Sequence, residues 1–459
     1  MEQEPLTVDF DDRHHARLLS VALRLLDLQR HELRPVVWAC LYFFFLLAGY
    51  YVIRPIRDAM GLTGGVRDLK VLFFITLAVM MVANPIFSAL VSRFPRRIFV
   101  PTVYIFFIAN LLGFFALFSS AGLHNDINIA RAFFIWVSVF NLFAVSVFWG
   151  MMADLFEPHQ SQRLFGLISV GGTLGAIVGS ASTVALARLV GETNLLPLSA
   201  VLLAVACFCV FRLNRLALQH PPGMRIASEP DGKRSVDRRI GGGWWSGITH
   251  LFASPYLAGI ALFIMLHAFS GTLAYFLQGT IVEHSLQTRD ARAEFFAGID
   301  LNVNVLAVFI QVFLTGRIIK KLGVGLTLAL LPLVVLVGFV GLGIWPTLGM
   351  LYGFQVVRRA ANFALSRPAR ENLFTVVPRE DKYKAKNLID TVAYRGGDAA
   401  GVSWYALFTS RWIAMTATTV LWIALPLIGL WSLLSVYLGR RQRQLAAAPS
   451  GDRAGRAVE

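Results

Sequence analysis

Arg93-Phe94-Pro95-Arg96-Arg97 and Arg317-Ile318-Ile319-Lys320-Lys321 are the stretches that decide how this chain is built. Both have the spacing R-x-x-[RK]-[RK], and both follow a long apolar run. They stand 224 residues apart. A second pair of marks, Gly171-Gly172 and Gly396-Gly397, stands 225 residues apart. Two unrelated features at nearly one offset point to a duplicated unit.

The unit is a set of membrane-spanning helices. Of 459 residues, 56% are apolar and only 15% are charged, against about 25% charged in ordinary soluble domains. A spanning helix needs roughly 20 mostly apolar residues. About twelve such segments can be marked, near 36–58, 70–92, 98–121, 131–155, 163–188, 194–212, 252–279, 294–316, 324–344, 347–368, 386–409 and 412–437. The expected fold is therefore all-α and polytopic, with about twelve transmembrane helices in two six-helix pseudo-repeats. The expected organisation is an N-terminal tail (1–35), a first bundle (36–212), a central loop (213–251), a second bundle (252–438) and a C-terminal tail (439–459). The central loop carries His220-Pro221-Pro222-Gly223 and Gly241-Gly242-Gly243, the composition of a linker.

The formal net charge is +15, from 42 Lys and Arg against 27 Asp and Glu. Most of the basic residues fall on one side of the twelve-helix arrangement, in the two tails and the even-numbered connections. That places both termini and the central loop in the cytoplasm. The first apolar run starts too far from the N-terminus for a signal peptide. The basic excess thus marks orientation, with some of it meeting anionic lipid headgroups, and nucleic-acid binding is not expected. The three cysteines, Cys40, Cys207 and Cys209, sit in apolar runs and suit neither a disulfide framework nor a zinc site. No cofactor and no metal are called for. The chain has no HExxH, no nucleophile elbow, no kinase set and no nucleotide-binding domain of a pump, so it is not read as an enzyme.

Ionisable groups inside a bilayer are costly, and they persist where they face a wet cavity or pair with one another. Here they form helical stripes. The first helix ends in Arg54-Pro55-Ile56-Arg57-Asp58. Arg54 and Asp58 are four apart and can pair, and Arg57 lies near the same face. The cluster is either a cationic site for an anion, since guanidinium matches phosphate and carboxylate bidentately, or an anchor snorkelling to headgroups. In the tenth segment Arg359, Asn362, Ser366 and Arg370 lie along one face, flanked by Arg358 and Arg367. In the eleventh, Lys386, Asp390, Tyr394 and Asp398 recur every four residues, and Arg395 can pair with Asp398. Asp300, Asn304 and Gln311 share a face of the eighth; His267, Gly271 and Gln278 share one of the seventh. His267 would titrate near neutral pH if it faced a carboxylate. Gly171, Gly175 and Gly179 repeat at the spacing that allows helices to approach closely.

The expected anion-binding residues are Arg54, Arg57, Asn304, Arg370 and Arg395. Asp58, His267, Asp300, Asp390 and Asp398 would balance charge or carry a proton. Arg93, Arg96, Arg97, Asp154, Arg163, Arg317, Lys320 and Lys321 would form a cytoplasmic gate. A structural ion-pair network is the alternative use of the same charges.

Six plus six helices with basic clusters after the second and eighth resemble the major facilitator superfamily, and Leu90-Val91-Ser92-Arg93-Phe94-Pro95-Arg96-Arg97 is a degenerate form of its loop motif. Four further stretches resemble the ATP:ADP antiporters of plastids and intracellular bacteria. They are Tyr50-Tyr51-Val52-Ile53-Arg54-Pro55-Ile56-Arg57-Asp58, Phe148-Trp149-Gly150-Met151-Met152-Ala153-Asp154, Arg163-Leu164-Phe165-Gly166 and Lys384-Ala385-Lys386-Asn387-Leu388-Ile389-Asp390-Thr391-Val392. Arg57 stands where that family has lysine. The resemblance implies a secondary transporter that works by alternating access and exchanges a nucleotide-like anion, with a small-molecule anion and membrane lipids as partners. A monomer in a bacterial inner membrane is expected. A facilitator carrying another organic anion or a drug with protons, and a non-transporting membrane scaffold, are the alternatives.

Overall fold

The computed structural model describes residues 29, 32–93, 96–120, 126–156, 158–219, 254–377, 389–410, 413 and 415–447. Twelve helical segments follow one another: α1 Leu33–Gly61, α2 Gly65–Arg93, α3 Arg96–Ser119, α4 Ile127–Leu155, α5 Pro158–Val190 and α6 Leu196–Gln219, then α7 Pro255–Ser285, α8 Arg289–Phe313 and α9 Thr315–Ile344. Segment α10 starts as Leu348–Ala361, passes through a π-helical turn Asn362–Ser366 and ends as Arg367–Leu373. Segment α11 opens with a π-helical turn Ile389–Ala393 and continues as Tyr394–Phe408. Helix α12 is Ala417–Ala447.

Nine of these, among the described residues, are long and apolar enough to cross a membrane. The rim confirms the solvent: Val337 is 65% exposed and Leu433 is 71% exposed. A water-facing surface rarely carries such a belt. The protein is an integral membrane protein. Several helices outrun the apolar segments that announce them. Helix α12 continues through Arg440, Arg441 and Arg443, and α6 runs seven residues into the stretch read as loop. The apolar count stops at the hydrocarbon edge, whereas the backbone bonds of a helix need no lipid. The rest of the central loop, from 220, lies outside the described residues up to 253.

Lipid tails are as apolar as leucine, so helices associate here through close packing and polar contacts. Helix α1 packs on α5, α6 and α4; α11 packs on α7, and α9 and α12 pack on each other. Gly171 and Gly172 of the first pair and Gly397 of the second sit at these crossings, whereas a Cβ at Gly396 would meet nothing within 4 Å. A Cβ at Gly171 would stand 2.5 Å from the carbonyl oxygen of Cys40, and Cβ atoms at Gly175 and Gly179 would strike the carbonyls of Phe44 and Ala48. In the second half, a Cβ at Gly397 would strike the carbonyl of Met265, and one at Gly401 would stand 3.0 Å from that of Phe269. So α5 lies on α1 as α11 lies on α7, backbone against backbone.

The two sets of helices meet through α8 against α1 and α5, and through α2 against α7 and α11. Polar contacts seal the end of the bundle away from the start of α1 and the end of α12. Arg289 reaches Glu192 at 3.2 Å, and the Glu192 N–H donates to Asp290 at 2.8 Å. Arg188 pairs with Glu294, and the Val66 N–H donates to Glu283 at 3.0 Å.

Glu192 lies in the α5–α6 connection, outside the spanning helices. Burial and the adjoining Asp290 push its carboxyl up to about 7, against the pull of Arg289. Parting of the halves would relieve the burial and return it toward about 4.3. The sealed form therefore holds the proton more tightly. It is favoured most below the lower value and loses that advantage as pH rises to about 7. Distances between spin labels across this seal should show more of the closed form near pH 5 than near pH 8, and Glu192→Gln should flatten the dependence. An unchanged pH response in the variant would exclude Glu192 as its source.

Candidate functional site

Pro368 determines the shape of α10. A proline has no N–H and its ring crowds the carbonyl four residues earlier, here that of Ala364. The helix answers by widening: the Arg367 N–H donates to the carbonyl of Asn362, five residues back. The carbonyls left without intrahelical donors are met from outside. Gln311 donates to that of Phe363 at 3.1 Å, and Thr315 to that of Ala364 at 2.7 Å. Such π turns recur at functional sites because the extra residue shifts every later side chain round the axis. The regular stripe expected from sequence is broken for that reason. Ser366 is buried at 3% exposure, and Arg367 takes the inward position in its place.

A cavity of about 450 Å³ lies between the two sets of helices. Six guanidiniums line it, those of Arg54, Arg57, Arg358, Arg359, Arg367 and Arg395, together with the carboxylates of Asp58 and Asp398. They come from α1, α10 and α11, and most lie within a few turns of their helix midpoints.

Asp300, on α8 and 1% exposed, stands behind this wall. Its Oδ1 is 3.1 Å from Nη1 of Arg54 and accepts from Nη2 of Arg359. One carboxylate thus joins α1, α8 and α10. Asp58 accepts from Arg57 at 2.6 Å and from the Tyr275 hydroxyl at 3.0 Å, joining α1 to α7. Asp398 lies 3.3 Å from Arg395 and accepts from Thr272 at 3.1 Å, joining α11 to α7. The local pairing of Arg54 with Asp58 does not form: Asp58 takes the adjacent Arg57, and Arg54 reaches across to Asp300. Helical spacing identifies which side chains share a face, but a carboxylate on another helix was the better partner.

The remaining candidates are distributed as follows. His267 lines the cavity, with its ring 6.2 Å from that of Tyr394 and 5.9 Å from that of Trp431. The charged groups acting on it are Arg358, Arg370 and Arg367 rather than a carboxylate. Asn304 is buried and donates to the backbone carbonyl of Asp300, so its amide serves the helix. Arg370 and Asp390 approach to 3.8 Å and do not line the cavity. Arg317, Lys320 and Lys321 are exposed at the start of α9. The side chains of Arg93, Arg96, Arg97, Asp154 and Arg163, and all of Lys386, lie outside the described residues.

Among the lining residues that escaped the sequence reading are Asn141 on α4, Tyr275 on α7 and Gln355 on α10. Tyr275 was findable, because it continues the stripe of His267 and Gly271 by another four residues. Asn141 has one polar neighbour on its face, Ser138 three residues earlier, which also lines the cavity.

The cavity also has an aromatic side. Phe73, Phe74, Phe134 and Tyr275 line it, with the rings of Phe73 and Tyr275 5.2 Å apart and Arg57 5.2 Å above Phe134. A charged central chamber between two repeated bundles is the arrangement of secondary transporters.

The model of the Major Facilitator Superfamily matches residues 39–366. The chain belongs to this superfamily. Among proteins of similar sequence are ADP,ATP carrier protein 1 of Chlamydia trachomatis, 22% identical with 82% of each chain covered, and ADP,ATP carrier protein 2 of Chlamydia pneumoniae, 22% identical with 92% of this chain and 91% of that one covered. Solved superfamily-like folds include a bacterial homologue of the iron transporter ferroportin in an inward-facing state, with TM-score 0.62, 10% identity and 89% and 99% of the two chains covered. The nucleoside transporter NupG matches with TM-score 0.60, 11% identity and 90% and 99% covered. These likenesses establish the transporter fold expected from the two basic clusters.

Proposed function

We propose that this superfamily member is a secondary active transporter that works by alternating access and exchanges an anionic solute of nucleotide type. The observation that carries this reading is the cavity itself, with six guanidiniums on its walls and aromatic rings on one side. Such a chamber suits a molecule with a polyanionic end and a flat ring. Guanidinium offers a planar fork to phosphate oxygens, and aromatic rings hold a flat ring by offset or edge contacts. The named carriers of Chlamydia support the same cargo. Arg57 and Arg395 would contact the anion, with Asp58 and Asp398 holding them in place. Arg54 and Asp300 would keep the α1–α8–α10 junction neutral enough to bury. Arg370 and Asp390 would act at the inner end of α10 and α11. The protein would lie in a bacterial inner membrane with both termini cytoplasmic, its sealed end facing outward.

The test is counterflow in proteoliposomes loaded with ATP. Labelled ADP should enter rapidly, and Arg57→Ala and Arg395→Ala should abolish the flux while leaving a folded protein. No uptake of ADP or ATP at any pH would refute nucleotide exchange. Unchanged flux in both variants would refute the assigned contacts.

A further inference from the structure

The guanidiniums of the cavity are not equivalent. Arg57 and Arg395 each have a carboxylate of their own, and Arg54 and Arg359 share Asp300. Arg358 and Arg367 have no carboxylate partner among the described residues. They are held by neutral groups instead. Arg358 donates to Oε1 of Gln355 from Nη2 at 2.7 Å and from Nε at 3.2 Å. Gln355 is itself 1% exposed, and its Nε2 donates to the carbonyl of Ala274 at 3.4 Å. Arg367 lies 4.6 Å over the ring of Phe363. An amide and a ring orient a guanidinium without cancelling its charge, whereas a carboxylate does both.

The backbone brings these two together. In a regular helix nine residues turn through about 900°, which puts positions 358 and 367 roughly half a turn apart. The extra residue of the π turn takes back about 100°, leaving them roughly 80° apart on the cavity side. Opposite them is Gly271, where even a Cβ would come only within 3.6 Å of Nη1 of Arg358. That nitrogen, which makes no bond to Gln355, is turned toward Gly271 on the cavity wall.

An uncompensated cation within a bilayer is expensive, and this chain keeps two side by side. We infer that Arg358 and Arg367 form the subsite for a phosphoryl group carrying two negative charges, with the carboxylate-paired Arg57 and Arg395 contacting the rest of the anion. This deepens the anion-carrier reading and rests on it. It assigns the principal charge recognition to two residues outside the stripe that the sequence marked. The shared chemistry is a phosphate dianion, whether borne on a nucleotide or free as pyrophosphate.

Thermal unfolding of the purified full chain in detergent, with pyrophosphate, ADP or adenosine added, tests this. ADP should raise the midpoint and adenosine should not; a rise with pyrophosphate as well shows that the subsite takes the free polyanion too. Arg358→Gln and Arg367→Gln should each weaken ADP binding at least tenfold without lowering the unliganded midpoint, because neither removal orphans a carboxylate and each relieves an uncompensated charge. Arg359→Gln, by contrast, should lower the unliganded midpoint. Full ligand response in both subsite variants would overturn the assignment. So would an unliganded loss in them equal to that of Arg359→Gln, which would mark them as structural. If adenosine shifts the wild type as strongly as ADP, the phosphate subsite is wrong while nucleoside recognition stands. If sulfate or a dicarboxylate replaces ADP and the variants lose that response, the subsite holds for dianions and the nucleotide reading falls. No response of the wild type to any anion overturns both.

Discussion

Asp300→Asn should abolish transport and cost about 3–5 kcal/mol of stability, the range for removing one partner of a buried ion pair. The size follows from what remains. Arg54 and Arg359 converge on a single carboxylate that is almost wholly buried. Asparagine preserves the shape and a hydrogen-bonding oxygen, but it leaves two guanidiniums facing each other in a poorly solvated place. Because Arg54 belongs to α1 while Asp300 and Arg359 belong to α8 and α10, the repulsion acts across the junction of the two bundles. Removing one of the cations should relieve it, so Asp300→Asn combined with Arg359→Gln should recover part of the lost midpoint. Thermal unfolding in detergent measures both. A single variant as stable as wild type, or a double variant no better than the single, would show that the carboxylate is not what holds these cations.

Gly175→Val and Gly397→Val should each prevent a stable bundle from forming. A Cβ at either position meets a carbonyl oxygen of the facing helix, Phe44 in one half and Met265 in the other. A flexible side chain could move aside, but a helix backbone cannot do so without opening the whole crossing. Overpacking in a core costs about 1–3 kcal/mol, and backbone contact puts these sites at the upper end. Gly166→Val is the control, since nothing stands within 4 Å of a Cβ there and it lies in the same helix as Gly175. Size-exclusion profiles should show a monodisperse peak for the control and aggregation for the other two. Three similar profiles would mean that the crossings are looser than the close approach implies.

Much of the fold could be read from the sequence because lipid makes its demands locally. Each span must be apolar and helical on its own, so the count of helices follows from hydropathy. Gly172 and Gly397, 225 residues apart, match between halves because only the smallest residue permits the α1–α5 and α7–α11 crossings. The Arg395–Asp398 contact was accessible for a similar reason: both groups lie on one helix, three residues apart. The junction at Asp300 was not, since spacing says nothing about partners on other helices. Asp300 stands out as an intramembrane charge, but the i, i+4 spacing pairs Arg54 with Asp58. The register of α10 was lost at Pro368. A proline late in a helix reads as an approaching end, and here it makes a π turn that Gln311 and Thr315 support from neighbouring helices. That turn exchanges Ser366 for Arg367 in the cavity wall, and it could be anticipated only by knowing that outside donors were in reach.

The central claim is that charged and polar groups from both bundles line one water-filled chamber. Cysteine reactivity tests it most directly. In a background with Cys40, Cys207 and Cys209 replaced, single cysteines at Asn141 and Asn362 would probe the two walls, and one at Val337 would probe the lipid face. A membrane-impermeant anionic thiosulfonate should modify the first two in reconstituted protein and leave the third untouched. Failure to label Asn141→Cys and Asn362→Cys, with the protein folded, would mean that the interior is dry and that the chamber does not exist.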